Sequence, residues 1–124
     1  MRGFNFMTKF ELGKLGEKTV QTYLINIGHK IIKTNYRSGH LEIDIISKHK
    51  NFVIFTEVKT RVKTAGSIKE NPLNSRQTTK IKKAIGAYIF RNKLNFDLIR
   101  LDLIIVLVNI KSHQADIVHY QDIF

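Results

Sequence analysis

The sequence predicts an α/β fold in which helices flank a mixed β-sheet, with elements in the order α-β-β-β-α-β. Residues 9–27 and 75–92 carry apolar side chains at helical spacing. Three short β-type runs lie between these helices, and the links joining them are too short for anything but antiparallel pairing. A fourth run, residues 98–108, is apolar on both faces in its second half, which is typical of a strand inside a sheet. Together these features indicate one layered domain.

Length and composition narrow the class of protein further. At 124 residues with 43% hydrophobic content, the chain is expected to form a single domain, residues 1–124, with a real core. The absence of cysteine excludes a disulfide scaffold and a thiolate zinc site, and it suits the cytoplasm. The longest wholly apolar run, Leu103–Val108, is far short of the ~20 residues of a membrane helix, so no membrane partner is expected. Residues 1–8 show no signal-peptide pattern and are expected to be disordered, with Met1 and Met7 both candidate starts.

The charge of the chain indicates a polyanionic partner. Lys and Arg number 21 against 10 Asp and Glu, which gives a net charge of +11. Nucleic acid is the commonest partner of such proteins. A basic but inert surface and an affinity for anionic lipid are the alternatives. The basic residues are spread along the chain, so a nucleic-acid-binding face would belong to the folded domain.

The first helix and the strands after it can be placed from local signals. Thr8 is a candidate N-cap for the helix over 9–27, and Gly28 is placed to end it. Gly16 lies inside this helix at a cost of about 1 kcal/mol relative to Ala, which a close contact with another backbone would explain. Glu17 follows it, offset from the apolar stripe. The strands of the meander are predicted at residues 30–37, 41–47 and 52–59.

In the second strand, alternation predicts two faces. One face would carry Leu41, Ile43 and Ile45, and the other Glu42, Asp44 and Ile46. Residues 60–74, a basic and polar stretch that contains Gly66 and Pro72, are predicted to form a flexible, functional loop. The second helix is expected at 75–92, the interior strand at 98–108 and a short edge strand at 115–120.

Three residues of the meander could do chemistry together. Glu57 and Lys59 lie two apart on one strand and therefore face the same way. If the strands pair as a hairpin, Asp44 comes alongside them. Two adjacent carboxylates repel unless a cation or a proton lies between them, and oxygen ligands suit Mg²⁺ or Mn²⁺. The alternative is an exposed strand with an ordinary Glu–Lys pair, but the Asp in the neighbouring strand favours a site that hydrolyses phosphodiester bonds.

The two motifs that carry these residues resemble those of a known family. GHLEIDII (Gly39–Ile46) followed by FTEVKTR (Phe55–Arg61) is similar to the YraN-like family of small bacterial predicted endonucleases. These proteins are similar to Holliday-junction resolvases and belong to the wider P-D…(D/E)-x-K nuclease superfamily. The resemblance covers nearly the whole chain, including Gly16–His40. It implies a restriction-endonuclease-like core.

The resemblance also implies roles for particular residues. Asp44, Glu57 and the main-chain carbonyl of Val58 would hold Mg²⁺ or Mn²⁺, and Lys59 would be the catalytic lysine. Glu17 would be an outer ligand of the metal or of a water, although an ordinary solvated helix residue is the equal alternative.

Arg37 and Arg61 would contact nucleic-acid phosphate, where the alternative is ordinary solvated charge. Gln77 and Lys80 match positions that often line such sites and are expected to bind nucleic acid as well. Because resolvases cut symmetric junctions, a homodimer is also implied.

Departures from the family pattern leave these positions intact. Ile43 stands where the superfamily has Pro, and Leu41 where the family often has Gly. Outside the motif, Asp102 in its apolar strand is predicted to be a structural partner of a nearby Arg or Lys, and the five histidines form no ligand-spaced cluster. The sequence therefore predicts a metal-dependent endonuclease acting on structured or branched DNA. The alternative is a nucleic-acid-binding module without turnover on the same fold.

Overall fold

The computed structural model describes residues 7–63 and 74–123. These residues form two helices and five strands that follow each other in the order α-β-β-β-α-β-β. The elements are α1 (Lys9–Asn26), β1 (Lys30–Ser38), β2 (Leu41–His49), β3 (Phe52–Val62), α2 (Ser75–Asn92), a 3-10 helix (Phe96–Leu98), β4 (Ile99–Asn109) and β5 (Gln114–Tyr120).

The strands form one mixed sheet in the order β1-β2-β3-β4-β5. β1, β2 and β3 make an antiparallel meander, β4 runs parallel to β3, and β5 pairs antiparallel with β4. Residues 101–106 of β4 are all buried, because this strand has a neighbour on each side. The predicted α/β class, the mixed sheet, the interior strand and the edge strand are confirmed.

α1 begins where the sequence predicts it. The Thr8 hydroxyl accepts the Glu11 N–H at 3.0 Å, and the Glu11 carboxylate accepts the Thr8 N–H at 3.1 Å. This reciprocal capping satisfies two N–H groups that a helix start leaves without partners. The helix ends at Asn26, and Gly28 adopts a φ of +101°, which only glycine adopts readily. Residues 1–6, on which most of the predicted disorder falls, lie outside the described residues.

The predicted facing of side chains on β2 is wrong at both Ile45 and Ile46 relative to Ile43. Ile43 and Ile46 pack together on the α2 side of the sheet, whereas Ile45 packs on the α1 side. Regular pairing with β1 skips Asp44 and its opposite residue Asn35, and Asn35 has a φ of +50°. This local irregularity breaks the strict alternation on which the prediction relied.

β3 is longer than predicted. It continues through Val62 instead of ending at Lys59, because β4 pairs with it as far as Val62 and Val108. The loop expected at residues 60–74 therefore starts with strand, and its residues 64–73 lie outside the described residues. The extra length carries Thr60 and Arg61 past the end of the β2–β3 pairing.

The two helices cover opposite faces of the sheet. Val20 and Leu24 of α1 pack on Ile45, Val58 and alternate residues of β4, while α2 packs on the other face. Gly16 is buried, and a Cβ on it would lie 1.8 Å from Oγ1 of Thr60. The close approach predicted at Gly16 is thus confirmed, although its partner is a side chain of β3 and not backbone. Among the described residues, neither helix has the length and apolar character needed to cross a membrane.

Candidate active site

β2 and β3 separate at the point where the candidate catalytic residues meet. The paired register of these strands ends at Ile45 and Thr56. Beyond that pair the N–H of Val58 has no backbone acceptor on β2, and the Asp44 carboxylate accepts it through Oδ2 at 2.8 Å. Because a buried N–H must be satisfied, this bond fixes the Asp44 side chain beside β3.

Glu57 and Lys59 complete the group around Asp44. The two residues flank Val58 on β3, and Nζ of Lys59 lies 3.6 Å from Oε1 of Glu57, with 16% and 14% of the two side chains exposed. The carboxyl of Glu57 also hydrogen-bonds that of Asp44. Two carboxyls and one ammonium therefore converge in a nearly buried position, as the sequence predicts.

Burial and mutual repulsion change the acidity of both carboxyls. Burial and the charge of the adjacent Asp44 together raise the pKa of Glu57 to about 8, against the opposing effect of Lys59. Burial also raises the pKa of Asp44, although the hydrogen bond from Val58 N–H works in the other direction. Near neutral pH these raised pKa values favour one proton shared between the two carboxyls. A divalent cation is the natural replacement for that shared proton.

Glu17 reaches the same site from α1. Its side chain is 16% exposed and lies 3.5 Å from Nζ of Lys14. Burial raises the pKa of Glu17, and the charge of Asp44 raises it further. Glu17 lines the same cleft as the two strand carboxyls, Asp44 and Glu57. A role for Glu17 as an outer ligand of a metal or of a water stays a prediction.

These side chains line an open cleft of about 680 Å³ between the N-terminal half of α1 and the C-terminal end of β3. Arg61 is part of the lining, and its predicted contact with phosphate stays a prediction. Lys9 and Gly13 also line the cleft, from α1, and were not predicted as site residues. They precede Glu17 by eight and four residues, and a helix brings residues four apart to one face. That spacing was the signal that could have found them.

Three predicted nucleic-acid contacts lie away from the described lining of the cleft. Arg37 is on the outer strand β1, 3.6 Å from Glu42 and 72% exposed. Gln77 and Lys80 belong to the first turns of α2, which packs on the face of the sheet opposite α1. The structure does not bring these three side chains to Asp44 and Glu57. A role for them in nucleic-acid binding stays a prediction.

The oxygen atoms available in the cleft suit a hard divalent cation that binds few protein ligands. In the part of the chain that the structure describes, no group of three or more His, Asp or Glu side chains is arranged to hold a metal ion. Asp44, Glu57 and the Val58 carbonyl offer oxygen only. Mg²⁺ commonly binds through one or two carboxylates and keeps several waters, so this smaller set suits Mg²⁺ or Mn²⁺.

A second buried polar cluster, formed around Asp102 on β4, has a structural role. Asp102 is fully buried, accepts two hydrogen bonds from Arg100 at 2.8 Å, and accepts a third from His119 Nε2 at 2.7 Å. His119 Nδ1 lies 2.9 Å from the Tyr23 hydroxyl, which ties β5 to α1. These hydrogen bonds lower the pKa of Asp102 to about 2 despite burial. The prediction that Asp102 pairs with a nearby Arg is confirmed, whereas the partnership with His119 was not predicted.

Comparison with known proteins identifies the family. The model of an uncharacterised protein family, UPF0102, matches residues 16–116. A UPF0102 protein of Clostridium novyi (strain NT) is 37% identical over 116 residues, covering 91% of this chain and 94% of the relative. One from Clostridioides difficile (strain 630) is 43% identical over 102 residues, or 79% and 86% of the two chains. The matched region contains every residue of the cleft from Gly16 to Val62, and the chain belongs to the YraN-like UPF0102 family.

Proposed function

We propose that this protein is a metal-dependent endonuclease that hydrolyses phosphodiester bonds in branched or otherwise structured DNA. The observation that carries the proposal is the convergence of Asp44, Glu57 and Lys59 at the fork between β2 and β3. Strand pairing alone does not require two buried carboxyls there, and their raised pKa values are a cost to the folded protein in the absence of a cation. The resemblance to Holliday-junction resolvases supports branched DNA, and the lack of cysteine supports a cytoplasmic location.

Each residue has a task in this proposal. Asp44 and Glu57, with the Val58 carbonyl, would hold Mg²⁺, which when bound polarises a phosphate oxygen and acidifies water. The Val58 N–H keeps Asp44 oriented through the 2.8 Å hydrogen bond. The Lys59 ammonium, 3.6 Å from Glu57, is placed to orient the attacking water or to stabilise charge that develops on the phosphate. Glu17 would bind a water from the α1 side of the cleft.

Positive charge around the cleft supports an anionic substrate. Lys9 and Arg61 line it, and Lys14 lies at the α1 side beside Glu17. The net charge of +11 adds a long-range attraction for DNA. Phosphate contacts position a nucleic acid without reading its sequence, so these residues would give affinity and the carboxyls would give cleavage.

A cleavage assay tests the proposal. Purified protein is incubated with Mg²⁺ and a panel of linear, flapped and four-way DNA, alongside Asp44→Asn, Lys59→Ala and a control, Asp97→Asn, which changes an exposed carboxylate outside the cleft. We expect cutting by the unchanged protein and by Asp97→Asn, and loss of cutting with retained DNA binding for the other two. Equal cutting by all proteins would assign the activity to another site or to a contaminant.

The alternative is a nucleic-acid-binding module with no turnover, which the charge of the chain also supports. In that case the panel would show salt-sensitive binding and no product with Mg²⁺ or Mn²⁺. Asp44→Asn would then bind DNA as well as the unchanged protein, since it removes negative charge without removing a phosphate contact. The same experiment therefore decides between the two functions.

A further inference from the structure

An exposed aromatic ring stands beside the candidate active site. Phe10 lies in the first turn of α1 and is 72% exposed. At this exposure the ring contributes little to the core, in contrast to Leu12 of the same helix, which packs on the α1 side of the sheet. A single exposed apolar residue is ordinary, so the ring carries meaning only together with the groups that surround it.

The ring lies on the side of α1 that leads into the cleft. Phe10 precedes Glu17 by seven residues, which is within about 20° of two full helical turns, so the two side chains leave α1 in nearly the same direction. Along the helix axis they are separated by about 10 Å. Lys9 and Gly13, which neighbour Phe10 on the helix surface, line the cleft themselves. The ring therefore stands at the edge of the candidate active site.

A lysine is held over this ring. Nζ of Lys14 lies 5.5 Å from the centroid of the Phe10 ring, which is a cation–π contact. The same atom lies 3.5 Å from Oε1 of Glu17 and 3.5 Å from Oδ1 of Asn35, the residue at the irregular point of β1. These three contacts hold the ammonium group in place. Because 49% of the Lys14 side chain is exposed, the ammonium group also remains accessible to an anion.

From this geometry we propose that Phe10 and Lys14 select DNA that has unpaired bases next to the scissile phosphate. The face of the Phe10 ring away from Lys14 would stack on one base, and the Lys14 ammonium would contact a phosphate of the same strand. The inference rests on the proposed function for its ligand, a DNA strand that enters the cleft. It adds the feature of structured DNA that would be recognised: a flap, a gap or a splayed branch point.

Stacking on a protein ring distinguishes unpaired from paired bases. Inside a duplex each base is already stacked on its neighbours, so its face becomes available only where the strand is unpaired or splayed out. Every base has a π-face, so such a stack tolerates any sequence. Phe10 would therefore select DNA by its structure and not by its sequence.

The charges around the ring favour a nucleic acid over an apolar partner. Lys9 directly precedes Phe10, and Lys14 follows it by about one helical turn. The acidic residue of the first turn, Glu11, is directed to the helix start, where its carboxylate accepts the Thr8 N–H. A ring bordered by ammonium groups suits a ligand that offers both aromatic faces and phosphates.

Fluorescence anisotropy in EDTA tests the stack under conditions in which a metal-dependent nuclease cannot cut. The probes are a labelled duplex that carries a single-stranded flap and the same duplex without the flap. We expect the unchanged protein to bind the flapped probe more tightly. Phe10→Ala should weaken that binding about fivefold or more, the loss expected for one base–aromatic stack. Its affinity for the duplex without the flap should stay the same.

Two further variants control for indirect effects. Phe90→Ala removes another exposed ring, 86% exposed on α2, and should leave the affinity for both probes unchanged, because α2 packs on the opposite face of the sheet. Phe10→Trp keeps an aromatic face and should keep the preference for the flapped probe. Circular dichroism checks folding, which Phe10→Ala should not impair because Ala is the best helix former.

Several results would overturn the proposal. An equal loss of affinity for both probes in Phe10→Ala would show a general contact with DNA and not a stack. No loss in Phe10→Ala, the same loss in Phe90→Ala, or an unchanged protein that binds the two probes alike would also overturn it. The nuclease proposal fails separately, through the absence of product with Mg²⁺. A selective loss in Phe10→Ala without any cleavage would support the stack as part of a nucleic-acid-binding site that has no turnover.

Discussion

Replacing Gly16 by Ala tests the contact that holds α1 over the end of β3. A Cβ at Gly16 would lie 1.8 Å from Oγ1, 3.0 Å from Cβ and 3.2 Å from Cγ2 of Thr60. Rotating the Thr60 side chain moves Oγ1 and Cγ2 but not its Cβ. Since carbon atoms reach favourable contact at about 3.5 Å, α1 must move away from β3 by about 0.5 Å even after that rotation.

The expected free-energy change is the balance of two effects. Overpacking a tight contact costs about 1–3 kcal/mol, while removing glycine from a helix returns about 1 kcal/mol. Gly16→Ala should therefore lower the free energy of unfolding by roughly 1–2 kcal/mol. Gly13→Ala, in the same helix, is the control: no described heavy atom lies within 4 Å of its Cβ. It should raise the free energy of unfolding by up to about 1 kcal/mol.

Urea unfolding followed by circular dichroism measures both variants. Thr60→Ala removes Oγ1 and Cγ2, so in combination with Gly16→Ala it should recover part of the loss. The double-mutant cycle should then show a coupling of about 1 kcal/mol. A Gly16→Ala variant as stable as Gly13→Ala, or additive effects of Gly16→Ala and Thr60→Ala, would refute the close contact between Gly16 and Thr60.

Further predictions follow from the buried titratable groups. Because the pKa of Glu57 is raised to about 8 in the fold, metal-free protein should lose stability as pH rises from 4.5 through 8. Glu57→Gln should therefore be more stable than the unchanged protein at alkaline pH, by roughly 4 kcal/mol in thermal or urea unfolding; equal stability would refute the raised pKa. Burial, with His49 adding to it, lowers the pKa of His29 to about 4. Neutral His29 should contribute roughly 3 kcal/mol to the free energy of unfolding above pH 6.5, and this contribution should be lost as pH falls through 4. In urea unfolding, the free energy of unfolding of His29→Gln should therefore change less with pH over that range. Asp102→Asn breaks a buried ion pair and should cost about 3 kcal/mol, against about 0–1 kcal/mol for the exposed control Asp116→Asn. Since the pKa of Asp102 is lowered to about 2, unchanged protein should also lose about 2 kcal/mol as pH falls from 3.8 through 2, and Asp102→Asn should not.

The parts of the structure that the sequence predicted depend on local patterns. Alternation along β3 placed Glu57 and Lys59 together, and short links made the meander antiparallel. Thr8 and Gly28 marked the limits of α1 through capping chemistry that involves only neighbouring residues. Asp44 could be assigned to the same site as Glu57 and Lys59 because the two strands of a hairpin lie side by side.

The parts that the sequence did not predict depend on how strands and helices meet. The hydrogen bond from Val58 N–H to Asp44 forms where β2 and β3 separate, beyond the Ile45–Thr56 pair on the side away from their turn. The same irregular point reverses Ile45 relative to Ile43. Tyr23 and His119 are 96 residues apart, and no periodicity links them. Thr60 was predicted to begin a loop. It belongs to β3 because it pairs with β4, a contact that the local sequence does not reveal.

Titration calorimetry with Mn²⁺ tests the central claim most directly. We expect the unchanged protein to bind Mn²⁺ near neutral pH and to release a proton, because the cation replaces the proton that Glu57 and Asp44 share. In buffers of different ionisation enthalpy, the release should approach one proton per ion, and Glu57→Gln should abolish the binding heat. An unchanged protein that takes up no Mn²⁺, or a Glu57→Gln variant that binds it equally well, would contradict the account.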